Sequence, residues 1–191
     1  MTEFRVPNLF LVVLPILAGV LLTDQITKAI AIAQLCVFTE AFEIASCREL
    51  SGIRLGDIQV FAIERVPSII PIIEFDFYLN RNAALSIPLP GPVWFEYTLL
   101  ISIMAALVLW LRSEGGRNNA IGVGLVLGGA LGNFADRLVH GAVVDFLALK
   151  LNNWVPFIFN VADAAITFGV VWLFVEQLVL KPRRQAQTVV S

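Results

Sequence analysis

The sequence predicts an all-α polytopic membrane protein with four transmembrane helices and a small extracytoplasmic β-rich cradle. Three observations predict it. Of 191 residues, 58% are hydrophobic and 15% charged, with a mean hydropathy of +0.83, well outside the composition of soluble globular domains. Separate apolar runs approach the roughly 20 residues that a bilayer crossing needs. The polar residues within those runs gather toward one end of the predicted bundle. Once the crossings are assigned, little chain remains for a soluble module, so a single integral membrane domain over 1–191 is expected.

The first run begins at Leu9, is unbroken to Leu22 and continues past Asp24 and Lys28, giving a helix over about 9–33. A cleaved signal peptide is the alternative, but no small-x-small site follows the run and it is long for an h-region. Residues 34–92 form the main extramembrane element. Within it, Glu74-Phe75-Asp76-Phe77-Tyr78-Leu79 alternates with period two, placing Phe75, Phe77 and Leu79 on one side and the acids on the other, as a strand would. Asn80-Arg81-Asn82 is expected as the turn that follows. Cys36 and Cys47 share this segment, where a disulfide and two free thiols are both open.

The second helix is expected over 93–111 and the third over 120–139. The third is apolar from Ala120 to Leu131 and then carries Asn133, Asp136 and Arg137. Its Gly124, Gly128 and Gly132, four residues apart, form a smooth face for close helix packing; the spacing does not fit a nucleotide-binding loop. Residues 140–156 are apolar enough to lie on the membrane. The fourth helix is expected over 157–180.

Orientation follows from Lys and Arg in short loops, which are retained on the cytoplasmic side. Arg5, Arg112, Arg117, Lys181, Arg183 and Arg184 all fall on one side, with both termini. Residues 34–92, with seven acidic and four basic residues, face the other. Trp94, Tyr97 and Trp154 mark the outer interface and Trp110 the inner one. A net charge of -2 and a pI near 5.4 exclude a nucleic-acid partner, which would need a basic stripe.

In this topology Asp24, Lys28, Asn133, Asp136, Arg137, Asn160 and Asp163 share the outer leaflet, and Asp145, within Val143-Val144-Asp145-Phe146, joins the same layer. Ionisable groups at membrane depth are costly, so they face the bundle interior, pair, and are functional candidates by default. Asp24 and Lys28 have the i,i+4 spacing of a structural ion pair, and Arg137 could snorkel to the interface. Asp163 has apolar neighbours and no cation within one turn. Two carboxylates in a poorly hydrated site share a proton because both cannot ionise easily. One then activates water against a peptide carbonyl while the other donates a proton. Asp145 and Asp163 are the pair so read, which points to aspartic-peptidase chemistry. His140 is the single histidine, and there is no H-E-x-x-H, no G-x-S-x-G and no plausible Cys-His pair; a Ser-Lys site from Ser86 and Lys28 is a weaker reading. An ion-coupled transporter would spread its carboxylates across the bilayer and show an inverted repeat, and neither is apparent.

Asp24-Gln25-x-x-Lys28, Asn80-x-x-Ala83-Ala84, Gly128-Gly129-Ala130-Leu131-Gly132-Asn133-x-x-Asp136-Arg137, Val143-Val144-Asp145-Phe146 and Phe159-Asn160-x-Ala162-Asp163 together resemble the lipoprotein signal peptidases (signal peptidase II). The blocks occur in order along all four predicted helices. The resemblance implies Asp145 and Asp163 as the catalytic dyad, with Asn80, Asn133, Arg137 and Asn160 lining the site and Asp24, Lys28 and Asp136 supporting it. It further implies cleavage of bacterial prolipoproteins before a diacylglyceryl-modified cysteine, contact with membrane lipids, inhibition by globomycin-type cyclic peptides, no metal or organic cofactor, and a monomer in the bacterial inner membrane. A catalytically silent relative would lack a dyad aspartate, and both are present. The chain departs from the family at Asn82, where glycine is usual, and at Leu85, where phenylalanine is usual. The segment before Asn80 is longer than usual. Asn tolerates a left-handed backbone, so the turn is expected to persist.

Overall fold

The computed structural model describes residues 6–40, 43–46, 60–62, 66–81, 93–114, 116–152 and 154–182. Its helices are α1 (Val6–Leu35), α2 (Val93–Glu114), α3 (Arg117–His140) and α4 (Val161–Val175), the last continuing through a π-helical turn at Glu176–Leu180. The strands are β1 (Cys36–Glu40), β2 (Glu43–Ser46), β3 (Val60–Ala62), β4 (Val66–Pro67), β5 (Ile73–Asn80), β6 (Val143–Leu151) and β7 (Trp154–Phe159).

Among the described residues, three stretches are long and apolar enough to cross a membrane: Leu9–Leu35, Trp94–Ser113 and Val161–Leu180. Large apolar side chains such as Leu11, Leu22, Ile26, Phe168 and Phe174 stand exposed on them, which suits lipid as the surrounding solvent. α3 does not meet that criterion of apolarity, because its glycines, Asn133, Asp136 and Arg137 dilute it. It is instead the helix that the others cover. A Cβ on Gly128 would lie 2.9 Å from the carbonyl oxygen of Leu17 in α1, and one on Gly129 would lie 2.4 Å from that of Ala162 in α4. Glycine is therefore what lets α1 and α4 seat closely against neighbouring faces of α3. A buried apolar cluster of Leu9, Val13, Leu111, Ala120, Val123 and Leu127 joins α1, α2 and α3 at the end remote from the strands.

The strands form two antiparallel sheets, ordered β2-β1-β3 and β4-β5-β6-β7. The cradle therefore extends beyond the expected 34–92, because β6 and β7 come from the stretch between α3 and α4. Residues 157–159, expected as the start of the fourth helix, are strand, and α4 begins at Val161. The reason is pairing: Leu147, Ala148 and Leu149 of β6 lie opposite Phe159, Ile158 and Phe157 in the antiparallel ladder, and Asn160 then caps the helix. Two further expectations change. A bulge between Phe75 and Tyr78 breaks the period-two alternation of β5, so that Asp76 is buried beside Phe77. Asn80, expected within a turn, is the last residue of β5, opposite Val143, and the rest of that expectation, with Asn82 and Leu85, lies outside the described residues. Cys36 is buried and disulfide-bonded, while Cys47, the other cysteine of the sequence, lies outside the described residues.

Candidate active site

The site forms where the ends of α1 and α3, the start of α4 and the paired strands β5 and β6 meet. Each placement has a local cause. Gly141 ends α3 in the left-handed conformation (φ 77°) and its N–H donates to the Arg137 carbonyl, the usual glycine stop of a helix. After Ala142 the chain enters β6, and the Val144 N–H donates to Asp136 Oδ2 at 3.0 Å. That bond ties the strand to the helix it has just left. Asn160 begins α4 with a reciprocal capping box: its side chain accepts from the Asp163 N–H at 2.9 Å, and its own N–H donates to Asp163 Oδ2 at 3.3 Å. An Asn at N-cap with an acidic residue at N3 is the sequence signature of such a start. The same pair of residues thus begins the helix and presents a carboxylate at its mouth.

Lys28 lies at the centre of the supporting charges and is 2% exposed. Its Nζ is 2.8 Å from Asp24 Oδ2, 2.9 Å from Asp136 Oδ2 and 3.0 Å from Asn133 Oδ1. An ammonium has three protons, and each has an acceptor. Asp24 also accepts from the Ala162 N–H at 2.9 Å, which fixes the first turn of α4 on α1. Gln25, which the sequence reading passed over, donates toward Asp24, Asp136 and the Gly132 carbonyl at 3.2, 3.0 and 3.3 Å. Being neutral, it carried no charge signal, though it stands within the quoted Asp24-Gln25-x-x-Lys28 block. No buried side-chain nitrogen or oxygen among the described residues lacks a partner.

Asp145 and Asp163 are joined through one asparagine. Asn160 Nδ2 donates to Asp145 Oδ1 at 2.6 Å while Asn160 Oδ1 accepts from the Asp163 backbone. Asn133 Nδ2 donates to Asp163 Oδ1 at 2.8 Å, and Arg137 donates to the Asn133 carbonyl at 3.2 Å. Asn80, one diagonal step across the β5–β6 ladder, supplies a second side-chain hydrogen bond to Asp145. The nine residues singled out in the sequence are therefore all present in one connected cluster.

The two carboxylates differ in setting. Asp145 is 1% exposed, and its pKa is raised from 3.8 to about 7, first by burial and then by the charge of Asp163; the amides of Asn80 and Asn160 and the more distant Lys28 pull the other way. Asp163 is half-buried and sits in the first turn of α4. Such a pair can hold one proton between them. Among the described residues, no group of three or more His, Cys, Asp or Glu is arranged to hold a metal ion.

A family model described as "Signal peptidase (SPase) II" matches residues 16–179. A lipoprotein signal peptidase of Geobacillus kaustophilus is 39% identical over 114 residues, spanning 59% of this chain and 73% of the relative. One of Bacillus subtilis is 39% identical over 115 residues, spanning 57% of this chain and 74% of the relative. A solved structure described as a bacterial membrane enzyme, determined by the in meso method at 1.9 Å resolution, superposes with a TM-score of 0.63 at 26% identity, covering 92% of this chain and 96% of that one.

Proposed function

Because the chain belongs to the signal peptidase II family, we propose that it is a membrane aspartic endopeptidase that removes signal peptides from bacterial prolipoproteins. The bond hydrolysed is the one before the diacylglyceryl-modified cysteine. The observation that carries this reading is the Asp145–Asn160–Asp163 unit: two carboxylates of unequal burial linked by one amide.

Asp163 is the base and Asp145 holds the shared proton. Asp163 is the more accessible of the two, and its oxygens accept from Asn133 Nδ2 and the Asn160 N–H, which fix its orientation toward an approaching water. It takes a proton from water as the water oxygen attacks the scissile carbonyl carbon. Asp145 donates its proton to the carbonyl oxygen as the tetrahedral intermediate forms. Asp163, now protonated, passes a proton to the leaving nitrogen; as the C–N bond breaks, a hydroxyl of the intermediate becomes the new carbonyl and returns its proton to Asp145. Asn80, Asn133, Asn160 and Arg137 orient the peptide and the dyad, and Asp24, Lys28 and Asp136 hold α1, α3, α4 and β6 in register. None of these steps calls on a cofactor.

The substrate's acyl chains remain in the bilayer, which suits a site at the ends of membrane-crossing helices. We read the protein as four crossings in the bacterial inner membrane, a monomer with both termini cytoplasmic and the site at the outer leaflet. Globomycin-type cyclic peptides would compete for the site.

The test is cleavage of a diacylglyceryl-modified prolipoprotein in liposomes by the wild type, Asp145→Asn and Asp163→Asn, with and without globomycin. Cleavage before the lipidated cysteine, abolished by either substitution and by the inhibitor, is the expected result. A folded wild type that leaves the substrate intact would overturn the peptidase reading in favour of a silent lipoprotein-binding relative, and cleavage by both variants would overturn the dyad.

A further inference from the structure

The four-stranded sheet has a second end, away from the site. β5 reaches the site at Asn80, opposite Val143 of β6; seven residues back along β5, Ile73 pairs with Leu149, roughly 20 Å away at ~3.3 Å per strand residue. The β4–β5 turn and the β6–β7 turn both lie at that far edge. The Lys150 N–H donates to the Ile72 carbonyl at 2.8 Å, fixing the two turns side by side.

This edge is apolar and exposed. Val66, Ile69, Ile70, Ile72, Leu151 and Trp154 all present themselves to solvent, Ile69 at 101% exposure. Lys150, next to them, is ion-paired with Glu74. The backbone of the tip is partly self-satisfied. The Ser68 hydroxyl lies 2.9 and 2.8 Å from the Ile70 and Ile73 carbonyls and accepts from the Ile70 N–H at 3.0 Å, and the Ile73 N–H donates to the Ile70 carbonyl at 2.9 Å. Pro67 and Pro71 bring no N–H donor. A turn with apolar side chains outward and much of its backbone paired inward suits hydrocarbon, where an unpaired backbone group costs several kcal/mol.

We infer that the two hairpin turns insert into the membrane leaflet on the sheet side of the bundle, so that lipid is the occupant of this apolar edge. Lipid is favoured over a protein partner by the tether. Only Gly141 and Ala142 separate α3 from β6, and only Asn160 separates β7 from α4, so the sheet is kept close beside the helix ends and the surface of the bilayer they cross. Trp154 at the rim is the side chain that interfaces select. The strands bearing Asn80 and Asp145 are then held at one end by the helices and at the other by lipid.

The inference rests on the apolar helices and not on the peptidase reading, and its test reads depth alone. Ile69→Cys in the full chain, labelled with an environment-sensitive fluorophore and reconstituted in phosphatidylcholine–phosphatidylglycerol vesicles, is quenched separately by lipids brominated near the carbonyl end and by aqueous iodide, with the unsubstituted chain as labelling control. At this fully exposed position the label displaces no packed side chain, and circular dichroism checks the fold. Expected are several-fold stronger quenching by bromolipid than by iodide and a blue-shifted emission. Strong iodide quenching without bromolipid quenching overturns the inference. So does shielding that disappears when the protein is diluted in lipid, which would assign the edge to a second copy of the chain.

Discussion

The three protons of the Lys28 ammonium go to Asp24, Asp136 and Asn133, and the consequence is electrostatic before it is catalytic. Removing one partner of a buried, fully hydrogen-bonded charge cluster costs about 3–5 kcal/mol, because the remaining charges are left uncompensated. Lys28→Met should therefore lower the thermal midpoint in detergent by roughly 10 °C, at about 2–4 °C per kcal/mol for a chain of this size. A midpoint within 2 °C of wild type would show that water or the carboxyls themselves take up the lost charge. Asp145 supports a second prediction with two readouts. Its raised pKa, about 7 against 3.8, means that the folded state keeps a proton that the unfolded chain releases. The stabilisation is complete below pH 3.8 and declines as pH rises to about 7, a loss of order 4 kcal/mol at 1.36 kcal/mol per unit. Asp145→Asn, which keeps the shape without the charge, should melt above wild type at pH 8, with the gap narrowing toward pH 4, while its cleavage is abolished. In the wild type, kcat/KM should fall about tenfold per pH unit above pH 7 as the dyad loses its shared proton. A profile flat to pH 9 would remove Asp145 as the proton donor.

At the scale of elements, the close approach of the helices depends on missing side chains at particular points. A Cβ on Gly132 would lie 2.5 Å from Asp24 Oδ2, whereas one on Gly19 would meet nothing within 4 Å. Gly132→Ala should push Asp24 off Lys28 and off the Ala162 N–H, lowering both stability and cleavage by tenfold or more. Gly19→Ala should gain roughly 0.5–1 kcal/mol of helix propensity and keep its activity. Equal behaviour of the two alanines, in melting and in turnover, would sink the packing account. These contacts also explain what could be read in the sequence. The apolar runs of α1, α2 and α4 are local signals, and so are the Gly128–Gly132 spacing and the Asn160-x-x-Asp163 cap. The residues of the candidate cluster could be picked out because ionisable side chains within or beside apolar helices have few bland roles. The β6–β7 hairpin was not, because a short apolar run such as Val143–Leu151 reads equally as a strand, a buried helix or a surface segment. Its state is decided by pairing with β5, some sixty residues earlier in the chain. The bulge that buries Asp76 and the neutral bridge made by Gln25 have no periodic or charged signature at all.

At the scale of the whole molecule, hydropathy alone marks three of the four helices, for a physical reason. Only α1, α2 and α4 are apolar enough by themselves to cross a membrane, but α3 has 24 residues, about 36 Å at 1.5 Å per residue, and packs between α1 and α4 along its glycines. A helix covered by neighbours need not be apolar, since it meets protein and not lipid. β1 to β5 fill the connection from α1 to α2, and β6 and β7 the one from α3 to α4, whereas α2 and α3 are joined by residues 115–116 alone. If α3 crosses with the rest, the two sheet-bearing connections share one face of the membrane and the short α2–α3 link lies on the other, with Arg112, Arg117 and Lys181 beside it. Single cysteines test this in spheroplasts treated with a membrane-impermeant maleimide. Arg81→Cys should label in intact spheroplasts, and Ser113→Cys only after permeabilisation. The reverse pattern would invert the orientation while keeping four crossings. Labelling of both positions from outside would mean that α2 fails to cross, and the site would then face a different solvent from the one its carboxylates require.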